Sequence, residues 1–206
     1  MADFSTTVDF FFDPVCPFTW VTSRWLVKAA EQRDLTIHAR PYSLRLKNGP
    51  SNDPYARGKE ASRKALRVFV AIDKELGNAK AFSFYSERGY RYFPADLESD
   101  GPDTRAVLRA IGLDETFAEA ADDESLDDVI KESTTAATKR AGNGVGSPII
   151  SIAGSDRGFF GPVLNDVPPG EAAGRLWDYV SGLLEMTEFH ELKRDRTGNL
   201  QAPARD

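Results

Sequence analysis

The chain has 206 residues, a net charge of −6, 28% charged residues and one cysteine, Cys16. A single cysteine excludes an intrachain disulfide, a zinc site built from four thiolates and a redox cycle between two cysteines of one chain. The acidic balance argues against nucleic acid as a partner, and a chain without a ~20-residue apolar run or a basic signal-peptide start is expected to be cytoplasmic, with no membrane partner.

The first elements predict a parallel βαβ unit. Residues 7–13 form an apolar run typical of a strand buried on both faces, and the Asp-Pro-Val-Cys-Pro segment that follows breaks it. Proline is favoured at the first helical position, so a helix is predicted from about Pro17 to Arg33. Residues 35–40 alternate with period two and predict the second strand.

The middle of the chain, residues 52–144, shows no convincing strand and predicts a helical insertion of about ninety residues. Helices are expected at 60–76, from about 102 to 111 and at 125–140, the last opened by Ser125 with Asp128 at the capping-box spacing. Basic side chains on the first of these helices are expected to form a solvated face, with the anionic end of a thiol as the alternative ligand: Arg57, Lys59, Arg63, Lys64 and Arg67.

The β pattern returns after residue 146 and predicts a ββα unit. Residues 148–152 and 158–160 flank a Gly-Ser-Asp turn and predict an antiparallel hairpin, and a helix is expected over 170–186 before a polar tail. The expected fold class is therefore α/β, with βαβ and ββα halves around a helical insertion. The predicted domains are a discontinuous one, 1–51 and 145–206, and a helical insertion subdomain, 52–144.

Cys16 is the first candidate for chemistry because it lies between a buried strand and a predicted helix. At the N-cap its sulfur would face free backbone N–H groups and the positive end of the helix dipole, which lower a thiol pKa from its usual value of about 8.5. Thr19 follows in the first turn, where its hydroxyl can donate to a thiolate. Thr19 carries no thiol, so any disulfide made by Cys16 must be intermolecular.

These segments carry a resemblance. The strand, Cys16-Pro-Phe-Thr19 opening a helix, and Gly146-Ser-Pro148 opening a later strand resemble the thioredoxin fold, and the helical insertion resembles its DsbA-like branch, with the kappa-class glutathione transferases and 2-hydroxychromene-2-carboxylate isomerases. Further segments in both halves of the chain look like the mycothiol-dependent reductase subgroup: 12–20, 22–25, 159–164, 170–174, 176–178 and 191–194.

The resemblance implies roles for particular residues. Cys16 matches the attacking cysteine, and Pro148 matches a cis-proline that lies against it. The thiol substrate is expected to contact a set of neighbouring residues: Pro17, Phe18, Trp20, Asn48, Ser147 and Pro148. Thr19 departs from the subgroup, whose best-matching members carry a second cysteine there, and so favours a monothiol cycle.

The leading hypothesis is a thiol-disulfide oxidoreductase, or thiol-dependent reductase, in which Cys16 works with a low-molecular-weight thiol; mycothiol is favoured and glutathione is the other candidate. The alternatives are a kappa-type transferase or isomerase that uses a bound thiol, and a non-catalytic thioredoxin-fold binding module. No metal is expected, because His38 and His190 lie far apart in sequence without a ligand cluster. The expected partners are a small thiol or mixed disulfide and, in an assembly, a second copy of the chain as a homodimer.

Overall fold

A computed structural model describes residues 6–49, 56–94, 101–203 and 205, and the side chains within these ranges except those of 56–59. The strands are β1 (Thr6–Phe12), β2 (Leu35–Pro41), β3 (Ile149–Ile152) and β4 (Phe159–Phe160). The α-helices are α1 (Pro17–Ala30), α2 (Leu44–Asn48), α3 (Ala56–Leu76), α4 (Asn78–Tyr92), α5 (Thr104–Ala110), α6 (Asp127–Ala141) and α7 (Glu171–Glu185). Two 3₁₀ segments, Glu115–Asp122 and Glu124–Leu126, precede α6.

The four strands form one sheet in the order β2-β1-β3-β4. Strand β1 runs parallel to β2 and antiparallel to β3, and β3 pairs with β4 as an antiparallel hairpin. The predicted βαβ and ββα units are therefore confirmed, with helices α2 to α6 between them. The division into two domains stays a prediction, and its boundary at 51–52 lies outside the described residues.

Strand β1 is buried on both faces, which is why its sequence is an unbroken apolar run. Val8, Phe10 and Phe12 lie in the main core with α1, α3 and α4, whereas Phe11 belongs to a smaller core with Ile149 and the α6 residue Ala137. Alternate side chains of β1 point to opposite faces of the sheet, so one strand contributes to two separate hydrophobic cores.

Helices α1 and α7 pack together on one side of the sheet. The Trp25 indole N–H donates to the Ala173 carbonyl over 3.0 Å, and the rings of Trp25 and Trp177 lie 6.5 Å apart. At the end of this contact, Arg33 donates to both carboxylate oxygens of Asp178, at 2.8 and 2.7 Å. The N-terminal half of α7 is therefore held to α1 and to the turn that follows α1.

The outer edge of β2 is covered by the first residue of α4. The backbone N–H of Ala39 donates to the Asn78 side-chain oxygen at 2.8 Å, and the Asn78 amide donates back to the Ala39 carbonyl at 2.9 Å. One side chain thus satisfies both backbone groups that this edge residue presents. Within the described ranges, no helix is long and apolar enough to cross a membrane.

Two expectations for the insertion are wrong. Ser125 lies inside a 3₁₀ turn and donates its backbone N–H to Asp123, and α6 begins at Asp127 without the predicted capping box. Arg67 is not solvated: it is 1% exposed and donates to both oxygens of Asp127, at 2.6 and 2.7 Å. The side chains of Arg57 and Lys59 lie outside the described residues.

Candidate active site around Cys16

Cys16 is the N-cap of α1 and Pro17 is the first helical residue, as the sequence predicts. Cys16 has extended backbone angles, with φ −81° and ψ 114°. Its N–H closes a tight turn onto the Asp13 carbonyl at 3.1 Å, and its own carbonyl accepts from Trp20 N–H at 3.1 Å. The β1–α1 turn therefore fixes the sulfur at the start of the helix.

Ser147 brings the distant β3 region to the cysteine. The Cys16 thiol donates to the Ser147 carbonyl at 3.4 Å, and the Ser147 and Thr19 hydroxyls lie 2.7 Å apart. The backbone N–H of Asp13 also donates to the Ser147 hydroxyl, at 3.2 Å. The Ser147–Pro148 peptide bond is cis, and Pro148 is buried. Cys16, Thr19 and Ser147 thus form one hydrogen-bonded group.

The pKa of Cys16 is raised in this structure, opposite to the predicted direction. Burial is the main cause, since Cys16 is only 9% exposed and the charged form loses its water, and the nearby carboxyl of Asp13 adds to it. Hydrogen bonds from the Thr19 hydroxyl and from the N–H groups of Thr19 and Phe18 favour the thiolate but do not outweigh burial. The protonated thiol fits the observed contact, because only a thiol can donate to the Ser147 carbonyl.

Asp13 is a residue of the site that the sequence prediction did not include. It is buried, and its carboxyl accepts from the N–H groups of Val15 and Leu44, at 3.1 and 2.9 Å, and from the Ser62 hydroxyl at 2.7 Å. Three elements are therefore tied to one carboxyl. Its place three residues before Cys16, directly after a buried strand, is the sequence signal that could have found it.

Arg88 of α4 is the second missed residue. It is 4% exposed, donates to the Pro14 carbonyl at 3.0 Å and lies over the Tyr92 ring at 4.7 Å. Burial lowers its pKa to about 10. Arg88 therefore couples the cysteine turn to the helical insertion. No spacing in the sequence relates residue 88 to residue 14.

The other predicted contact residues lie in different surroundings. Pro17 and Phe18 are half-buried beside the cysteine, and the Arg196 guanidinium lies 4.6 Å from the centre of the Phe18 ring. Trp20 is fully buried, stacked at 5.4 Å on Phe93, so the structure places its ring in the core and not on the surface of the site.

Asn48 is exposed at the end of α2. The other end of that short helix is joined to the site, since Leu44 N–H donates to Asp13. In the described part of the chain, no group of three or more His, Cys, Asp or Glu side chains is placed to hold a metal ion.

Comparison with known structures identifies the fold. The thiol-disulfide exchange protein α-DsbA2 from Wolbachia pipientis is 18% identical, with a TM-score of 0.54 over 89% of this chain and 84% of that one. The cytosolic disulfide reductase DsbM from Pseudomonas aeruginosa is 19% identical, with a TM-score of 0.52 over 86% and 96%. The predicted DsbA-like thioredoxin fold is therefore confirmed.

Sequence comparison identifies the family. The protein Rv2286c of Mycobacterium tuberculosis (strain ATCC 25618 / H37Rv) is 31% identical over 196 residues, which cover 93% of this chain and 83% of that protein. The model of the Rv2466c-like family, described as mycothiol-dependent nitroreductase Rv2466c, matches residues 15–194. The match includes Cys16, Ser147 and the strands β2, β3 and β4, and it begins after the end of β1. The chain therefore belongs to the Rv2466c-like family.

Proposed function

We propose that this protein is a thiol-dependent reductase that exchanges disulfides through Cys16 alone. The observation that carries the proposal is the position of the Cys16 sulfur, at the N-cap of α1 and within reach of Thr19 and Ser147. Burial outweighs these donors in the resting structure and raises the pKa of Cys16, but when the sulfur ionises, the helix N-terminus and the Thr19 hydroxyl stabilise the thiolate, which is the nucleophile in disulfide exchange. Thr19 stands where a resolving thiol would be needed, so the second thiol comes from solution.

The reaction has two balanced exchange steps. Cys16 loses its proton to water and attacks one sulfur of a disulfide, so a Cys16–S–S bond forms as the substrate S–S bond breaks, and the other half leaves as a thiolate that takes up a proton from water. Cys16 is then the leaving group when an external thiolate attacks the mixed disulfide, and the N-terminal N–H groups of α1 with Thr19 stabilise the departing sulfur. The substrate disulfide is reduced, and the external thiol is oxidised.

The low-molecular-weight thiol is proposed to be mycothiol, as the description of the family model states for its reference protein. Glutathione is the other candidate, because DsbM, which shares the fold, is described in a structure with glutathione. The low-molecular-weight thiol is proposed to contact the residues next to the Cys16 sulfur, namely Pro17, Phe18 and Ser147. Asn48 is proposed to contact it at the mouth of the site. A mycothiol partner implies a cytoplasmic location.

The test is the turnover of mycothiol- and glutathione-linked disulfides by the protein and by Cys16→Ala. The variant is expected to fall to the rate of uncatalysed thiol exchange, because no other thiol exists in the chain. Mass spectrometry of the wild type, quenched with acid during turnover, is expected to find one thiol adduct on Cys16. Unchanged turnover by Cys16→Ala would contradict the proposal.

A transferase or isomerase that uses a bound thiol is the second candidate. It is favoured by the pair of hydroxyls, Thr19 and Ser147, which lie 2.7 Å apart beside the cysteine; one donates to the other, and the second is left to donate to a foreign thiolate. Cys16→Ser distinguishes the two functions. Activity that survives this change without a mixed disulfide supports the second candidate, and loss of activity supports the first.

A further inference from the structure

The segment after α7 follows an unusual path for a polar tail. Residues 186–203 form no helix or strand, and most of their side chains are exposed; Phe189, Leu200 and Pro203 are half-buried. A segment of this composition is expected to fray. Instead it contacts the sheet, the N-terminal end of α1 and the helical insertion in turn. We refer to residues 186–203 together with Arg205 as the C-terminal strap.

The strap first crosses the thioredoxin-like half. Phe189 packs edge-on against Phe159 of β4, with ring centres 5.4 Å apart. The Arg196 guanidinium then lies 4.6 Å from the centre of the ring of Phe18, the residue that follows Cys16 by two positions. Next, Asn165 of the β4–α7 loop donates its side-chain amide to the Thr197 carbonyl, and its own carbonyl accepts from Gln201 N–H at 2.8 Å.

The strap ends on the insertion. Arg205 donates to Glu87 of α4 at 2.7 Å and lies 5.0 Å over the Tyr90 ring. Glu87 is only 6% exposed and also pairs with Arg91 at 2.7 Å. Hydrogen bonds and charge from Arg205 and Arg91 outweigh burial and lower the pKa of Glu87. The contact between Arg205 and Glu87 is therefore an ion pair that joins the C-terminal strap to helix α4.

We propose that the C-terminal strap closes the site beside Phe18, and that it opens to admit reagents to Cys16. Cys16 is 9% exposed in the closed arrangement, although a nucleophile must be reached by its substrate. The contacts that hold the strap are of the kind that open without unfolding a core: an exposed arginine on a ring, an ion pair with a 57% exposed arginine, and the hydrogen bonds of Asn165 with Thr197 and Gln201.

The second argument is the position of the two arginines. Arg196 contacts the half-buried residue next to Pro17, and Arg205 contacts α4, whose Arg88 supports the cysteine turn. The C-terminal strap thus contacts two helices, α1 and α4, that help to position the Cys16 sulfur. The strap acts on access, so it operates whichever thiol exchanges with Cys16.

The chain offers a direct test because Cys16 is its only thiol. The rate of alkylation by iodoacetamide, followed by the mass of the intact protein, reports access to Cys16 and needs no mycothiol. Arg205→Ala and Arg196→Ala are each expected to raise the rate up to about fivefold, since a surface contact shifts an opening equilibrium by about that factor. Raised salt should accelerate the wild type and leave Arg205→Ala nearly unaffected.

The matched control is Arg109→Ala, which removes a surface ion pair of the same kind, Arg109 to Glu115 at 2.8 Å, away from the strap. Its alkylation rate should equal that of the wild type. Circular dichroism and urea midpoints identify variants that have lost stability. Equal rates for the wild type and both folded strap variants would overturn the proposal, as would an equal acceleration by the Arg109→Ala control. Because alkylation requires no turnover, failure of the proposed reductase activity leaves this test unaffected.

Discussion

Two buried aspartates, one in the middle of β1 and one directly after its end, have pKa values shifted in opposite directions. Asp9 and Asp13 are each 1% exposed. Burial raises the pKa of Asp9, but hydrogen bonds and charge from His38 and Arg40 outweigh it and lower the pKa. Burial also raises the pKa of Asp13, whose hydrogen-bond donors are neutral, and there the pKa stays above its usual value. Depth alone therefore does not determine the ionisation of these carboxyls.

The difference between the two aspartates follows from what each one joins. Asp9 is surrounded by three basic side chains that reach water: Arg40 at 2.7 Å, His38 at 3.0 Å and Arg140 at 3.1 Å. Asp13 gathers backbone N–H groups and one hydroxyl around the cysteine turn. The basic side chains around Asp9 compensate its negative charge and stabilise the fold. The arrangement around Asp13 keeps a poorly compensated carboxyl close to a thiol.

The largest effect is expected from Asp13→Asn. An amide can accept with its oxygen only, so its NH₂ group would face a backbone donor such as Leu44 N–H, and buried donors would lose their acceptor. The variant should lose about 2–3 kcal/mol of unfolding free energy at neutral pH. Urea unfolding measures this loss. A loss below that of Asp9→Asn would contradict the assignment of Asp13 as the organiser of the turn.

A smaller loss, about 1–2 kcal/mol, is expected from Asp9→Asn, because its arginine and histidine partners can turn to water. The pH dependence separates the two variants. The cost of Asp9→Asn is full above about pH 4 and shrinks as pH falls through the lowered folded pKa of Asp9. The cost of Asp13→Asn should instead grow on acidification, because a raised folded pKa makes the wild type bind protons more readily than its unfolded chain does. If the stability costs of both variants changed in the same direction with pH, the opposite pKa shifts of Asp9 and Asp13 would be refuted.

The smallest effect is expected on the thiol itself. Asp13 raises the pKa of Cys16 through its charge, so Asp13→Asn should lower that pKa. Asp9→Asn is the matched control and should leave it unchanged. The pH dependence of thiolate absorbance at the single cysteine measures both. A thiol pKa below about 8.5 in the wild type would contradict the dominant effect of burial.

The order of elements could be predicted from local patterns, because their causes are local. The triple phenylalanine of β1 and the proline after Cys16 each determine a strand or a helix start within a few residues. The site could be predicted only in part. Cys16 and Thr19 are neighbours on one turn, but Ser147 reaches them from 131 residues away, and the fold resemblance, rather than spacing, indicated it.

The remaining differences arise from long-range burial. The helix N-terminus and the Thr19 hydroxyl, both close in sequence, predict a lowered thiol pKa, whereas the burial that reverses its direction depends on residues from several elements. The sequence predicts a solvated Arg67, because the carboxylate with which it pairs, Asp127, lies 60 residues later in the chain. Tertiary contacts of this kind leave no periodic signal in the sequence.

The paired amide of Asn78 has a consequence for self-association. A free strand edge is where other extended chains add to a sheet, and this is a common route to aggregation. At Ala39 both backbone groups already have partners, at 2.8 and 2.9 Å, so a strand from another molecule finds neither donor nor acceptor there. The Asn78 amide therefore blocks strand addition at this residue of β2, whereas the opposite edge of the sheet is formed by β4. One asparagine thus protects the β2 edge at Ala39 from pairing with another chain.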